Sequence, residues 1–182
     1  HHAAGRGHGC VFAVAEPGRH LRDPGFDLRQ RQKLADDAGR EHEHLAREIA
    51  DDGEGATHVL VVEVTGCRSR DEARQIARTI ADSPLVKTAV HGADPNWGRI
   101  VSAAGYSGVA FDPLKLRLRV NGTLLFEAGT PVPFDADAVS ASITNARDTL
   151  IQVDLDSGPG SIRFFSSDLT AEYVHLNADY HT

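Results

Sequence analysis

A single acidic residue lies between two glycines in a turn that could hold a charged ligand. The segment is Asp52-Gly-Glu-Gly-Ala-Thr57, and the β-branched run that follows it reads as a buried strand. Gly53 and Gly55 would let the backbone come close to a ligand, while the Glu54 carboxylate could accept an ammonium group. The alternative is a solvated acidic turn, and these residues taken alone favour that alternative.

A second polar cluster surrounds the only tryptophan of the chain, in residues 91–100. Its members are His91, Asp94, Asn96 and Arg99. Because Asp94 precedes Pro95, we expect Asp94 to be the N-cap and Pro95 the first residue of a helix. If residues 85–90 form a strand, this is a strand-to-helix corner, where α/β folds bind ligands. Capping, a buried tryptophan and a structural Arg–Asp pair explain most of the cluster, so an architectural role is favoured.

The C-terminal segment is polar and aromatic up to its last residue. It is predicted to begin as a short helix with Asp168 or Thr170 as its N-cap. Free C-termini usually fray unless contacts hold them. Either this helix docks onto the domain, or Asn177 and Thr182 reach a ligand, and spacing alone does not decide between the two.

Histidines and cysteines could bind a metal, but their spacing does not favour one. Near His1, His2 and His8 no carboxylate or second histidine lies at a ligand spacing, so a solvated segment is the preferred interpretation. Cys10 and Cys67 are far apart and form no ligand pattern, which weakly indicates a reducing compartment. The sequence therefore predicts no metal site.

Hydrophobic periodicity predicts the elements that must position these residues. The first is a helix that ends near Asp51, with an apolar stripe of Leu45, Ala46 and Ile49. A strand at residues 58–65 follows the acidic turn. A capping-box pattern at Ser69 then begins an amphipathic helix. Its predicted apolar face consists of Ala73, Ile76, Ala77 and Ile80.

The second half of the chain is predicted to contain more strands. In the strand predicted at residues 85–90, Lys87 would be an edge or surface charge. The next helix would approach a sheet through small residues, namely Gly98, Ala103 and Ala104. Asn121-Gly122 predicts a hairpin between residues 115–120 and 123–126. A helix near residues 135–145 and a second hairpin complete the pattern. The arms of that hairpin are residues 149–155 and 161–165.

Length and charge restrict the class of protein. A chain of 182 residues indicates one domain or slightly more. The net charge of −7 argues against nucleic acid or a membrane surface as the main partner. Because the chain has no methionine and begins at His1, we expect it to be the C-terminal part of something longer.

Four motifs in order carry a resemblance to a known family. They are Asp52-Gly-Glu-Gly-Ala-Thr57, Asp82-Ser-Pro-Leu-Val-Lys-Thr88, Gly92-Ala-Asp-Pro-Asn-Trp-Gly-Arg-Ile100, and Asp168-Leu-Thr-Ala-Glu-Tyr-Val174 with Asn177-Ala-Asp-Tyr180. Together they resemble the β chain of the bifunctional glutamate N-acetyltransferase of arginine biosynthesis, also called ornithine acetyltransferase. The resemblance covers residues 45–182 and leaves residues 1–44 unassigned. It implies an α/β fold with mixed sheets and packed helices, the C-terminal part of the ornithine acetyltransferase and self-processing aminopeptidase-like fold.

The resemblance also implies a chemistry. Family members cleave a precursor before a threonine, and that threonine becomes the N-terminal nucleophile of the β chain. Its hydroxyl takes acetyl from N-acetylornithine and passes it to glutamate, and some members also use acetyl-CoA as donor. An α chain supplies the oxyanion hole. The resemblance thus implies an α-chain partner, a heterotetramer of two α and two β chains, a cytoplasmic location and no bound cofactor.

Three substrate-binding residues follow from the resemblance. Glu54 matches the acidic residue of the Gly-Glu-Gly turn, and its charge suits an ammonium group of ornithine. Asn177 and Thr182 match the last binding positions of the family, with His181 where arginine is usual. The 91–100 corner is a family signature and is assigned to architecture.

Departures from the family pattern concern the nucleophile. The N-terminal threonine and a later Ser-Thr-Asn-Asp segment do not appear here, so no catalytic residue is assigned to these 182 residues. Residues 1–44 look like sequence read out of frame, and we hypothesise a frameshift upstream of about His44. The chain is then part of a working acetyltransferase. The alternatives are a non-catalytic remnant of one and, less favoured, a related self-processing hydrolase.

Overall fold

The structure is a computed structural model. It describes the backbone of residues 13–14, 41–53 and 55–178 and the side chains of residues 41–53 and 55–175. One mixed sheet has the strand order β1-β7-β2-β6-β3-β4-β5. The strands are β1 Ala13–Val14, β2 Val59–Cys67, β3 Arg117–Val120, β4 Thr123–Glu127, β5 Thr130–Pro131, β6 Asp148–Asp154 and β7 Gly160–Ser167.

Helices cover both faces of this sheet. They are α1 (residues 41–51), α2 Arg70–Asp82, α3 Pro84–His91, α4 Trp97–Gly105, α5 Ala136–Thr144 and α6 Ala171–Ala178. Helices α2 to α5 contribute to the larger core, whereas Ala46 and Ala50 of α1 pack on the other face against Phe165. The α/β fold with mixed sheet and packed helices is as the sequence predicted. Among the described helices, none has the length and apolar character needed to cross a bilayer.

Strand β2 lies inside the sheet, and its first four residues are apolar on both faces. Leu60, Val62 and Val64 face the larger core, while Val59 and Val61 face α1, as the alternation of a strand requires. Because its backbone amides and carbonyls are buried as well, such a strand needs a hydrogen-bonding neighbour on each edge. It pairs parallel with β6 and antiparallel with β7. The buried strand predicted at residues 58–65 is therefore confirmed.

The predicted second hairpin is wrong. Its two arms exist as β6 and β7, but β2 lies between them in the sheet. The connection through residues 155–159 passes the end of β2, where a Cβ on Gly158 would lie 2.7 Å from the Cys67 carbonyl oxygen. Local turn residues suggested a hairpin, but the doubly apolar β2 takes the central position between these strands.

Helix α2 and the first hairpin agree with the sequence. The Ser69 hydroxyl accepts from the Glu72 amide and caps α2. The four predicted apolar residues of this helix are each 0% exposed. Strands β3 and β4 pair antiparallel around Asn121-Gly122. Helix α5 lies within the predicted range.

The strand predicted at residues 85–90 is a helix, α3. Ser83 caps it, accepting from the Val86 amide, and Pro84 occupies its first turn. A short apolar run does not distinguish a strand from a buried helix, and here the capping chemistry decides. Lys87 is accordingly no surface charge, since it is 2% exposed and its Nζ donates to the Ser167 carbonyl at 2.8 Å.

The 91–100 corner therefore joins two helices, and its capping differs from the prediction. Asn96 is the N-cap of α4, with its side chain accepting from the Arg99 amide. Asp94 instead accepts from the Asn96 side-chain amide. Arg99 donates to the Leu85 carbonyl and so links α4 to α3, in place of the predicted Arg–Asp pair. Trp97 is half-buried and stacks on Phe126 with ring centroids 5.5 Å apart.

Two details of the predicted helix faces are also wrong. Helix α1 ends at residue 51 as predicted, but Leu45 is 55% exposed, and Ala46 and Ala50 make its contact with the sheet. In α4, Ala103 and Ala104 are buried as expected. A Cβ on Gly98 would meet only Asn96 Oδ1 at 3.6 Å, so this glycine permits no close approach to the sheet.

Candidate functional site

The three predicted substrate-binding residues lie at the margin of the described structure. Glu54 and Thr182 fall outside the described residues. Asn177 belongs to α6, but the structure describes only its backbone and not its side chain. The residues on either side of Glu54, the end of β7 and the start of α6, the helix that carries Asn177, are nevertheless described.

One hydroxyl joins this turn to α6. Thr170 Oγ1 accepts from the Tyr173 amide at 2.9 Å, which makes Thr170 the N-cap of the helix. Of the two N-caps that the sequence allowed, Asp168 and Thr170, the structure thus has Thr170. The same hydroxyl donates to the Gly55 carbonyl at 2.8 Å. The segment that carries Glu54 and the helix that carries Asn177 are therefore attached to each other.

The two glycines of the turn are explained by close packing. Gly55 has φ +75°, and a Cβ there would lie 3.1 Å from the Tyr173 amide nitrogen. A Cβ on Gly53 would lie 3.0 Å from Ser167 Cβ. Both positions thus let the turn lie directly against β7 and α6. The predicted approach of these glycines to a ligand stays a prediction.

A buried carboxylate holds the other end of the turn. The Asp168 side chain is 0% exposed. Its Oδ1 accepts from the Thr57 amide at 2.9 Å, and its Oδ2 accepts from the Thr57 hydroxyl. Two imidazoles adjoin this pair, with His58 Nδ1 at 3.4 Å and His91 Nδ1 at 3.3 Å from Oδ2. We call Asp168, Thr57, His58 and His91 the Asp168 cluster.

Hydrogen bonds keep Asp168 ionised. Burial by itself would raise the pKa of this carboxyl, because the charged form loses its hydration. Hydrogen bonds from the Thr57 hydroxyl, from the backbone of His58 and Thr57, and from the His58 imidazole outweigh burial and lower the pKa below its ordinary value of 3.8. Asp168 is consequently a permanent acceptor at neutral pH.

The Asp168 cluster contains a hydroxyl, imidazoles and a carboxylate, but it is not arranged as a nucleophilic triad. In a triad, the base contacts the acid with one ring nitrogen and the nucleophile with the other. Here Thr57 Oγ1 lies 3.0 Å from His91 Nδ1, the same nitrogen that faces Asp168. His58 uses its Nδ1 in the same way. The cluster therefore fixes geometry and does not relay a proton to a nucleophile.

Helix α3 contacts the same end of β7 through two side chains one turn apart. Lys87 binds the Ser167 carbonyl, and His91 faces the next residue, Asp168. None of these contacts was predicted from the sequence. The end of β7 and the start of β2 are neighbours because Val59 pairs with Ser167, a register that local patterns do not reveal. Only this pairing brings Thr57 and Asp168 together.

Elsewhere on the sheet, a polar depression of about 160 Å³ carries no comparable site. It is lined by Glu63, Thr65, Arg117, Arg119, Gln152, Val153 and Asp154. Burial would raise the pKa of Glu63, but hydrogen bonds from Arg163 and Gln152 outweigh burial and lower it. Glu63 and Asp154 are thus paired, with Arg163 and Arg117 respectively, and the volume is below that of usual ligand pockets. Among the described residues, no group of histidine, cysteine or carboxylate side chains could hold a metal ion.

Comparison with known proteins gives a family match over most of the chain. The family model described as "ArgJ family" matches residues 11–182. This match begins before residue 45, where the resemblance stated above begins, and so includes most of the segment left unassigned.

Several curated relatives carry the name "Arginine biosynthesis bifunctional protein ArgJ". The protein from Parasynechococcus marenigrum is 48% identical over 140 residues, which is 77% of this chain and 34% of the relative. The protein from Thermus thermophilus is 46% identical over 77% of this chain and 36% of the relative. This chain thus spans about a third of the length of the curated relatives it matches.

A solved structure shares the fold. The crystal structure of "Arginine biosynthesis bifunctional protein argJ" from Bacillus halodurans superposes with a TM-score of 0.80 and 36% identity. The match covers 85% of this chain and 74% of that chain. Sequence and fold therefore agree on one family.

Proposed function

This chain belongs to the ArgJ family, and on that premise we propose that it is the C-terminal part of an acyltransferase of arginine biosynthesis. The enzyme would move acetyl from N-acetylornithine to glutamate, giving ornithine and N-acetylglutamate. The observation that carries this proposal is the family match over residues 11–182. The names of the relatives, bifunctional proteins of arginine biosynthesis, support it.

We assign the substrate contacts of this chain to Glu54, Asn177 and Thr182. A carboxylate at residue 54 suits an ornithine ammonium group, because a charge-assisted hydrogen bond is stronger than a neutral one. The hydrogen bond between Thr170 and Gly55 supports this assignment, since it attaches the acidic turn to the helix that carries Asn177 in its last turn.

The proposed chemistry has two steps. A threonine hydroxyl attacks the acetyl carbonyl of N-acetylornithine, the amide C–N bond breaks, and the amine leaves as ornithine after taking the proton. The glutamate amine then attacks the acetyl ester, and the C–O bond breaks to restore the hydroxyl. We place this threonine and the oxyanion hole outside these 182 residues. Acetyl-CoA as a second donor, an α-chain partner in a heterotetramer, autocatalytic cleavage and a cytoplasmic location belong to the same proposal.

An acetyl-transfer assay tests this proposal. We expect the complete protein, meaning this chain with the preceding part of its gene product, to release more than one equivalent of ornithine per active site from N-acetylornithine only when glutamate is present. Initial rates should follow ping-pong kinetics, and the isolated 182 residues should be inactive. Turnover by the isolated chain would overturn the placement of the nucleophile. Continued turnover of N-acetylornithine without glutamate, beyond one equivalent of ornithine per active site, or cleavage of N-terminal peptides, would favour a hydrolase.

A non-catalytic remnant is the second candidate, because the Ser-Thr-Asn-Asp segment does not appear in this chain. A DNA read across the region that encodes residues 1–50 and its upstream flank separates the two. Another frame that continues into that segment would support the working enzyme. A single clean frame without it would support the remnant and exclude a frameshift.

A further inference from the structure

The turn that carries Glu54 is held at every described position. The Gly53 carbonyl accepts from the Ala56 amide, and the Gly55 carbonyl accepts from Thr170. The Ala56 carbonyl accepts from the Arg147 guanidinium at 2.8 Å, and Thr57 binds Asp168 through both its amide and its hydroxyl. The backbone on both sides of Glu54 is therefore fixed, although a Gly-rich turn is otherwise among the most flexible of chain segments.

Asp168 differs from the other groups that hold the turn. The Arg147 side chain is 39% exposed, whereas that of Asp168 is fully buried. Asp168 also follows Ser167, whose carbonyl is bound by Lys87 and whose Cβ lies next to Gly53. One residue thus connects the acidic turn to the end of β7, to α3 and, two residues later, to the Thr170 cap of α6.

We propose that Asp168 is a positioning residue for the acidic turn: through Thr57 it holds residues 55–57 next to the start of α6, and this restrains the backbone that leads to Glu54. This inference rests on the proposed function, because that function gives Glu54 its role. Nothing in the Asp168 cluster needs to touch substrate. Asp168 would restrict the backbone around Glu54 before the substrate binds, so that binding costs less conformational entropy.

Charged and titratable groups from two elements surround the Asp168 carboxylate. His58 faces it from the start of β2, His91 faces it from α3, and Lys87 of α3 binds the preceding carbonyl. The direct donor to the carboxylate is Thr57, which gives it one bond from the main chain and one from the hydroxyl. Thr57 is exposed, so its hydroxyl can be removed without opening the core.

The experiment uses Thr57→Val, with Thr57→Ser as the variant that keeps the hydroxyl. In the complete protein, hydrogen–deuterium exchange of the turn amides reports positioning, and calorimetry with ornithine reports binding. We expect Thr57→Val to speed exchange at residues 53–57 and to weaken ornithine binding about tenfold, an effect within the usual range for coupled neighbours. Thr57→Ser should behave as the wild type does. Asp168→Asn should speed exchange as well, if it folds.

A double-mutant cycle with Glu54→Gln shows whether the effect passes through Glu54. If it does, Thr57→Val weakens ornithine binding in the wild type but adds nothing in the Glu54→Gln background. Unchanged exchange in Thr57→Val would overturn the positioning role, and equal weakening in both backgrounds would overturn its route through Glu54. A folded wild type that does not bind ornithine would instead overturn the proposed function, whatever the exchange rates show.

Discussion

At the scale of single residues, burial and hydrogen bonding set the charge states in this chain. Cys67 is 1% exposed, and burial together with the carboxylates of Glu72 and Asp154 raises the pKa of its thiol to about 11. Asp168 is as deeply buried, yet its pKa is lowered because Thr57 and His58 donate to the charged form. Two buried acidic groups are thus in different states at neutral pH: the Cys67 thiol is protonated, and the Asp168 carboxyl is ionised.

The lowered pKa of Asp168 predicts a loss of stability in acid. A carboxyl whose folded pKa lies below its unfolded value contributes stability that is fully present above 3.8 and is lost as pH falls through the folded pKa. We expect the free energy of unfolding of the wild type to fall below about pH 4, by up to about 1.4 kcal/mol per pH unit for this one proton. Asp168→Asn should show a shallower acid slope in urea melts taken at pH 5 to 3.

The control for this prediction is Glu127→Gln. The Glu127 side chain is 45% exposed and pairs with Arg117 on the surface, so its removal should leave the acid slope of the wild type unchanged. If an Asp168→Asn variant folds and its free energy of unfolding falls with pH as steeply as that of the wild type, this carboxyl is not the source of the acid sensitivity.

At the scale of elements, three local signals in the sequence predicted the correct structure. The capping pattern at Ser69, the apolar face of α2 and the Asn121-Gly122 turn each depend on residues that are close together in the chain, and all three are confirmed. The pairing of β6 and β7 with β2 is set by competition between distant strands, which turn residues do not report. The same limit hid the Asp168 cluster, whose members come from the start of β2, from α3 and from the residue after β7.

Helix α3 shows a further limit of sequence patterns. The run at residues 85–90 is β-branched and apolar enough for a strand, but Ser83 and Pro84 begin a helix there. A lysine in that run suggests an exposed edge, since charged residues are rarely buried without partners. Lys87 is buried nonetheless, because helical geometry brings its ammonium group to the carbonyl of Ser167.

This arrangement predicts that Lys87 stabilises the fold. Lys87→Ala leaves a void at a buried position and removes the Lys87 hydrogen bond to the Ser167 carbonyl, so we expect the free energy of unfolding to fall by about 2–4 kcal/mol. Urea denaturation of the purified protein measures this loss.

The matched control is Lys115→Ala, at an exposed lysine that also donates to a carbonyl, that of Asp156 at 3.2 Å. It should change the same quantity by less than about 0.5 kcal/mol. If the two substitutions lower the free energy of unfolding equally, the burial of Lys87 in α3 is not the reason for its stabilising effect.

At the scale of the whole molecule, the chain has the fold of its family but about a third of the length of its curated relatives. The predicted substrate residues come from the acidic turn and the C-terminal segment, and the described contacts join these two parts around Thr170 and Asp168. Four motifs predicted the family, which the family match confirms, whereas the substrate residues that they imply stay a prediction. The sequence could not predict the contacts that join the acidic turn to the C-terminal segment, because those contacts depend on sheet register and on α3.

The measurement that tests the central claim most directly is the KM for N-acetylornithine in acetyl transfer to glutamate by the complete protein. We compare the wild type with Glu54→Gln and with Glu48→Gln, a control on the surface of α1 whose side chain is 58% exposed. We predict activity in the wild type, a KM about 10- to 100-fold higher in Glu54→Gln because a charge-assisted hydrogen bond is lost, and no change in Glu48→Gln. A folded complete protein without glutamate-dependent transfer, or a Glu54→Gln variant with the KM of the wild type, would contradict the account.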